Sequence, residues 1–475
     1  MVDEQDTRID MTTGAITPKL FHLAWPLVLG NLLQTLYNLA DMFWVGRVSP
    51  EAVAAVALMF PLSWMFVSTA MGVTAATIAL VSQHVGAGND RRADLVVAQS
   101  CLLATVVSLV LAAVGLLARH ELLWLIGARD QVYVEAMEYI VVIFLALPLT
   151  FLFFAFRASL QGAGDTKTAM WLVAISAGLN IVIDPFFILG WGPFPAMGTQ
   201  GAAVATFVAR FVATAAGIYI LLRGDWGVEL HVSDLVPNWA VQRKLFAVGY
   251  PASIDGWARS FAAVVMAAFV ARFGAAATAA YGIGLRYMSV SWSVSGAVGQ
   301  ATATGVGQNL GARTPDRATA VTYTATGVTM GVLFVAGGAA WLFPEFAMRI
   351  FIDDRAVVEE GVVFLRIVAL SWGFFGGLMV VQGAFRGAGD TEIAMVLSFL
   401  SRWLLRVPLA VVLAFAWTVT LPGVGTVSSL GMGVDGLWWA YASAAVASFV
   451  VGVAWFLRGT WKEGVIDRET AAADD

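Results

Sequence analysis

The chain has a single cysteine, Cys101, and only four histidines, His22, His84, His120 and His231, all far apart. It therefore offers no internal disulfide and no cysteine- or histidine-based metal cage. Charge is equally scarce, at 12% of 475 residues, about half of the roughly 25% in an ordinary soluble domain. Only four residues are lysines (Lys19, Lys167, Lys244 and Lys462), and none follows a glycine. The P-loop spacing G-x-x-x-x-G-K-[ST] is thus missing, and with it an internal ATP-driven motor. A formal net charge of −5 gives no basic surface for a nucleic acid. Residues 1–19 are polar, with Asp3, Glu4, Asp6, Asp10 and Lys19, and lack the short apolar core of a secretory signal.

What the chain has instead is apolar length. Hydrophobic residues make up 59% of it, and a spanning helix needs about 20 of them. The composition argues against a soluble enzyme and for an all-α membrane protein. Breaks at charges, Gly and Pro predict twelve spans: 20–45, 52–82, 94–118, 132–157, 168–191 and 200–222, then 244–271, 277–307, 319–343, 357–382, 393–417 and 434–457. This divides the chain into an N-terminal tail (1–19), an N-lobe (20–222), a linker (223–243), a C-lobe (244–458) and a C-terminal tail (459–475). In alternate loops the side with the termini collects fifteen Lys and Arg and the other six. The excess predicts that both termini are cytoplasmic.

The halves match at one shift of 225 residues. LQGAGDTKTAM (160–170) faces FRGAGDTEIAM (385–395), Gln83-His84-Val85-Gly86-Ala87 faces Gln308-Asn309-Leu310-Gly311-Ala312, and Pro26 faces Pro251. The register then slips by ten, so that Gly201 faces Gly436 across a longer loop before the last span. Six spans per copy is an even number, so both copies run the same way through the bilayer. Duplicated halves of this kind frame secondary transporters, which rock one half against the other.

Acids inside spans are functional candidates, because a charge at mid-bilayer costs about 2.5–3.5 kcal/mol on insertion scales. Gln34, Tyr37, Asn38 and Asp41 share one face of the first span, and Asn180 lies one turn before Asp184 on the fifth. Tyr139 and Thr206 add hydroxyls on the fourth and sixth. The repeat is an internal control: Met266, Leu405 and Leu409 stand opposite Asp41, Asn180 and Asp184. A requirement of folding would recur in both copies, so the cluster reads as a site of the first half. Two close carboxylates in low dielectric must take up protons or a hard cation, which makes a switch that an ion gradient can drive. Pro26 lacks a backbone donor and is a candidate bending point. Asp255, near the start of span seven, reads as close to a hydrated cytoplasmic mouth. Arg259, Arg286, Arg366, Arg402 and Arg406 fall inside second-half spans, where snorkelling or pairing is the plain reading. GAGD at 162–165 and 387–390 carries the G-x-G-D of intramembrane aspartyl proteases, but both copies sit at helix junctions, where Asp165 and Asp390 read as N-caps.

Taken in order, Pro26, Asp41 and Gly46-Arg47 on span one, Gln83, Gly86 and Ala87, the QGAGDT/RGAGDT pair, Asn180-x3-Asp184-Pro185 and Gly201 to Thr206 resemble the multidrug and toxic compound extrusion (MATE) family, in its DinF-like branch. The resemblance covers about 20–458. It implies two six-helix lobes in a V around a central cavity, with no cofactor. It also implies antiport, in which H+ or Na+ enters while organic, mostly cationic and lipophilic compounds leave. The site it implies comprises residues matching Asp41, Asn180, Asp184 and Thr206, with Pro26, Gln34, Tyr139 and Ala202 around it. Any Na+ would sit at that same site. No deep acid on span ten matches the second-lobe site of the NorM-like branch. The expected setting is a monomer in the plasma membrane, with no nucleic-acid partner. A lipid or lipid-linked sugar flippase of the same superfamily is the alternative, kept open by the second-lobe arginines.

Overall fold

The computed structural model describes residues 8–421 and 425–466. The outer parts of both tails, 1–7 and 467–475, lie outside the described residues. Twelve long helical segments carry the fold. In the first half they are α1 (Ile16–Val45), α2 (Pro50–Gly86), α3 (Asp90–Leu117), α4 (Asp130–Ala163), α5 (Thr166–Leu189) and α6 (Gly198–Arg223). In the second they are α7 (Trp239–Ala271), α8 (Ala275–Gly311), α9 (Pro315–Leu342), α10 (Arg355–Ala388), α11 (Thr391–Ala414) and α12 (Val434–Leu457). Ten of them are long and apolar enough to cross a membrane. The other two, α1 and α8, have the length but carry polar residues along much of it: Asn31, Gln34, Asn38 and Asp41 on one, Gly, Ser, Thr and Gln on the other. Both pack against the opposite lobe, where polar groups find partners that lipid would not give them.

The repeat is visible in the helix ends. Segments α2 to α5 start and stop 225 residues before α8 to α11 at every boundary. The helical reading gains one addition, a two-stranded hairpin (β1, Thr418–Leu421; β2, Gly425–Ser428) with Thr418 paired to Ser428. It fills the longer loop before α12 and accounts for the slip in register. Two helices are irregular. A 3-10 turn at Ala369–Ser371 interrupts α10, and α11 widens into a π-helix over Leu400–Arg406. Pro408 follows that stretch; its missing N–H and its ring oppose ordinary i→i−4 bonding there.

Each lobe has its own aromatic core. Phe144, Phe151, Phe153 and Phe156 of α4 are fully buried in the first, and Phe364 of α10 packs edge-on against Trp438 of α12, 4.8 Å between rings, in the second. The lobes meet along α1, α2, α7 and α8. Hydrogen bonds across this seam begin at mid-helix, where Asn31 Nδ2 donates to the Ser293 carbonyl (3.2 Å) and Trp257 Nε1 to that of Met65 (3.1 Å). They continue only toward the ends that carry the termini, with Gln83 Nε2 donating to the Gly387 carbonyl (2.9 Å) and Thr304 Oγ1 to that of Gln161 (3.1 Å). There Gly86 lies against the Gln308 carbonyl and Gly311 against that of Gln83, so a Cβ at either glycine would collide with backbone. Among the described residues no hydrogen bond joins the lobes beyond mid-helix on the other side. Two lobes joined at one end form the V.

Both chain ends cross this seam. Ahead of α1, the Met11 N–H donates to Gln308 Oε1 of α8 (2.8 Å), and Gln308 Nε2 donates to the Ile9 carbonyl (3.3 Å). Arg317 of α9 donates to the carbonyls of Met11 (2.9 Å), Thr13 (2.6 Å) and Gly14 (2.7 Å). Beyond α12, the Ile466 N–H donates to Gln83 Oε1 of α2 (3.3 Å). Each lobe thus holds the terminal strap of the other through the same repeat glutamine. The GAGD junctions lie beside the straps. Gly164 and Gly389 end α4 and α10 in the left-handed region, at φ +96° and +85°, against Ile9 and Val465. Asp165 caps α5 by accepting from Thr168 N (2.9 Å), as its position predicts, whereas the Asp390 side chain does not cap α11.

Candidate functional site

The N-lobe cluster is assembled by α1, α5 and α6, with α4 behind. On α1, Tyr37 and Asp41 fall one turn apart and face inward, and Asp41 is 8% exposed. On α5, Asn180 and Asp184 are buried one turn apart. Thr206 of α6 joins the two helices: its hydroxyl lies 3.1 Å from the Tyr37 hydroxyl and accepts from Asn180 Nδ2 at 3.4 Å. With the Asn180 amide turned over, its nitrogen instead donates to both Asp184 oxygens (3.2 and 3.3 Å) and its oxygen accepts from Thr206 N (3.1 Å). The turned amide gives the buried carboxylate one donor nitrogen, shared between its two oxygens. Asp41 Oδ1, in contrast, is buried with no hydrogen-bond partner. Tyr37, one turn from Asp41, thus links that carboxylate through Thr206 to the Asn180–Asp184 turn of α5.

The other sequence candidates fall at different distances from this centre. Tyr139 and Ala202 pack into one apolar cluster with Val45, Ala52 and Ile188 beside it. Gln34 accepts from Arg210 Nη2 (3.4 Å) and donates to Asn38 (3.4 Å), whose own side chain faces outward. Pro26 is buried within α1 four turns from Asp41, and the helix continues through it. Gln34, Tyr37, Ser176, Ala177, Asn180, Thr206, Ala209 and Arg210 line a crevice too narrow to admit a water molecule.

Arg210 is the residue that sequence reasoning missed. It lies in the middle of α6, one turn after Thr206, and is 8% exposed; its guanidinium sits 4.3 Å over the Phe153 ring, with Nη1 unpartnered. The comparison of halves that singles out Asp41 also marks Arg210, since Ala445 stands opposite it at the shifted register.

The reading of Asp255 as a hydrated residue is corrected. It is 3% exposed, and its Oδ2 accepts from Arg259 Nη2 (2.8 Å) and Arg386 Nη2 (3.1 Å). The last turn of α10 brings Arg386 inward, and a carboxylate with two guanidinium donors tolerates burial that a lone one does not. Asp255 is therefore not part of the N-lobe cluster but the centre of a separate one in the C-lobe.

The MatE family model matches residues 26–186 and 251–412, one stretch in each lobe. The probable multidrug resistance protein NorM of Thermotoga maritima is 28% identical, over 96% of this chain and 95% of that protein. The FAD transporter of Shewanella oneidensis is 26% identical over 85% and 89%. A crystal structure of a MATE protein in a bent conformation superposes with a TM-score of 0.86 at 23% identity, covering 98% of this chain and 99% of that one.

Proposed function

Because the chain belongs to the MatE family, with six membrane helices in each lobe, we propose that it is a secondary active multidrug exporter coupled to H+ or Na+ at the N-lobe carboxylates. It is a transporter rather than an enzyme. The observation that carries the reading is the buried pair Asp41 and Asp184, confined to one lobe, with an oxygen of Asp41 left unpartnered. Two carboxylates in a dry interior hold their charge only at a large cost. A proton on either, or a small hard cation held by Asp41, Asp184, Asn180 and Thr206, removes that cost. Loss of the occupant restores it and pushes α1 and α5 apart. Pro26, which interrupts the donor ladder of α1, gives that helix a place to yield.

The side to which the cleft opens follows from the seam. With the termini in the cytoplasm, as the loop charges favour, the closed end of the V is cytoplasmic and the cleft opens outward. In this reading the protein stands in the plasma membrane as a monomer. Its substrates are organic, mostly cationic amphiphiles that leave as the ion enters.

A flippase for lipids or lipid-linked sugars is the second reading. The partly buried C-lobe arginines favour it, and so does a relative whose name gives FAD, a phosphate-bearing molecule, as its cargo. Inverted vesicles loaded by a proton gradient and, separately, by a sodium gradient decide between ions and test the site. Asp41→Asn and Asp184→Asn should each lower gradient-driven uptake of a fluorescent organic cation by at least about tenfold, the scale of one lost charge interaction, with normal amounts of protein in the membrane. Wild-type uptake or drug resistance in either variant rejects the assignment.

A further inference from the structure

The C-lobe interior holds a concentration of positive charge that the coupling site does not use. Arg259 and Arg386 both donate to the same oxygen of Asp255, leaving its Oδ1 and the Arg259 Nε buried without partners. Arg402, 9% exposed, donates to Ser398 Oγ (2.8 Å). The Arg406 guanidinium lies 4.0 Å over the Tyr441 ring, with Nε unpartnered. Of these four guanidiniums, only Arg259 and Arg386 contact a carboxylate among the described residues, and both contact the same one. Two of them, Arg402 and Arg406, ride on the π-helical stretch of α11, a distortion that recurs at functional sites.

The repeat locates this cluster. At the shift of 225, Arg259 stands where the N-lobe has Gln34, Arg402 where it has Ala177, Arg386 where it has Gln161 and Asp255 where it has Gly30. Gln34 and Ala177 both line the N-lobe crevice. The same place in the two lobes therefore carries different chemistry, Gln34, Ala177, Gln161 and Gly30 in one and Arg259, Arg402, Arg386 and Asp255 in the other. Structural glue shared by both copies would not differ in this way. An uncompensated cluster of cations in a membrane lobe needs an anion, and planar guanidiniums match the oxygens of carboxylate and phosphate.

We propose that Arg259, Arg386 and Arg402 form a C-lobe binding site for the oxyanion, phosphate or carboxylate, of an amphiphilic molecule, with Asp255 as the tethered anion that holds the arginines when the site is empty. Arg259, whose side chain is 37% exposed, provides the way in. This adds a substrate class to the export reading. Its test is read by binding, so it stands or falls apart from ion coupling.

Purified protein is placed in phosphatidylcholine nanodiscs and titrated with dodecyl phosphate and, separately, with dodecyltrimethylammonium, which has the same tail and the opposite charge. Wild type should bind dodecyl phosphate. Arg402→Gln and Arg259→Gln should each weaken that binding by about tenfold, the scale of a lost charge-assisted contact. Binding of the cationic detergent should change by less than about twofold. Arg259→Lys, which keeps the charge but loses the fork, should fall between. Replacing part of the phosphatidylcholine by phosphatidylglycerol separates the sources: competition identifies a lipid headgroup as the occupant, and its absence identifies a dissolved amphiphile. Equal loss of both detergents in the Gln variants, or no binding of dodecyl phosphate to wild type, overturns the proposal. Because Arg259 is the least buried of the three, its variants keep the test decisive if Arg402→Gln fails to fold.

Discussion

Replacing Gln308 by leucine tests the seam directly. The side chain is 1% exposed and serves Met11 N–H and the Ile9 carbonyl at once, and Met11 is fully buried. Leucine fills much of the same space but leaves both backbone groups without this partner. Each such loss costs about 1–3 kcal/mol. The two losses sum to about 2–6 kcal/mol; the Ile9 N–H keeps the Gly164 carbonyl (3.2 Å) and Arg317 keeps the Met11 carbonyl, so the strap stays docked and we take the low end, about 2 kcal/mol. The bonds run from a segment ahead of α1 to a helix of the other lobe, so they exist only while this end is shut. The cost therefore falls on the closed state and should shift the closed-to-open ratio by about thirtyfold. Cys101 is buried, so cysteines introduced at the terminal-side ends of α3 and α9 can be labelled selectively and their separation followed by single-molecule energy transfer. Amide exchange at residues 9–14 should rise in parallel. If the variant shows wild-type separations and unchanged exchange at Met11, the strap is not a constraint on the closed end and this reasoning fails.

Two further tests address the same region. Gly86→Ala places a methyl group against the Gln308 carbonyl, where backbone cannot give way as a flexible side chain would. The protein should fold but favour the form open at the terminal side, with labels there more accessible than in wild type; wild-type accessibility would show that the lobes do not need this close approach. The segment between α6 and α7 docks on α3, where an Arg91 ion pair holds Asp234 below the ordinary carboxylate range and Gln99 donates to the carbonyls of Asp234 (2.6 Å) and Val236 (2.8 Å). A carboxylate with a depressed value contributes its docking fully above the ordinary pKa of about 3.9 and loses it only as pH falls through the lower value. A spin label at Val236→Cys should accordingly keep one mobility from neutral pH down to about 4 and loosen below. With Arg91→Ala it should be looser at neutral pH as well, and equal mobility in the two proteins would remove the ion pair from the account.

Much of the architecture was legible because a membrane chain writes its fold in simple terms: apolar length, breaks at Gly and charge, and here a duplication whose helix ends agree residue for residue between α2 to α5 and α8 to α11. The pairing of Asn180 with Asp184, and the inward turn of Tyr37 with Asp41, followed from helical spacing. Other features had no such signal. A π-helix has no period that an apolar pattern reveals, so Leu400–Arg406 and the direction in which it turns Arg402 and Arg406 came from the structure. Arg386 counts as a loop charge by position, yet its helix runs two residues further and turns it onto Asp255. Arg210 was hidden by attention to acids. The polar segment ahead of α1 looks like a solvated tail by composition, but the bonds that dock it are made by backbone groups, whose pairing does not depend on side-chain type.

The crossed straps have a consequence for how such a carrier is governed. Flux through an alternating machine is set as much by how readily it reopens as by how tightly it grips its cargo. Here two crossed straps bond the lobes at the closed end, away from the buried pair Asp41 and Asp184, and on this reading they help set that readiness. Whatever binds, trims or pulls on either extremity would therefore act as a throttle on export while leaving selectivity untouched.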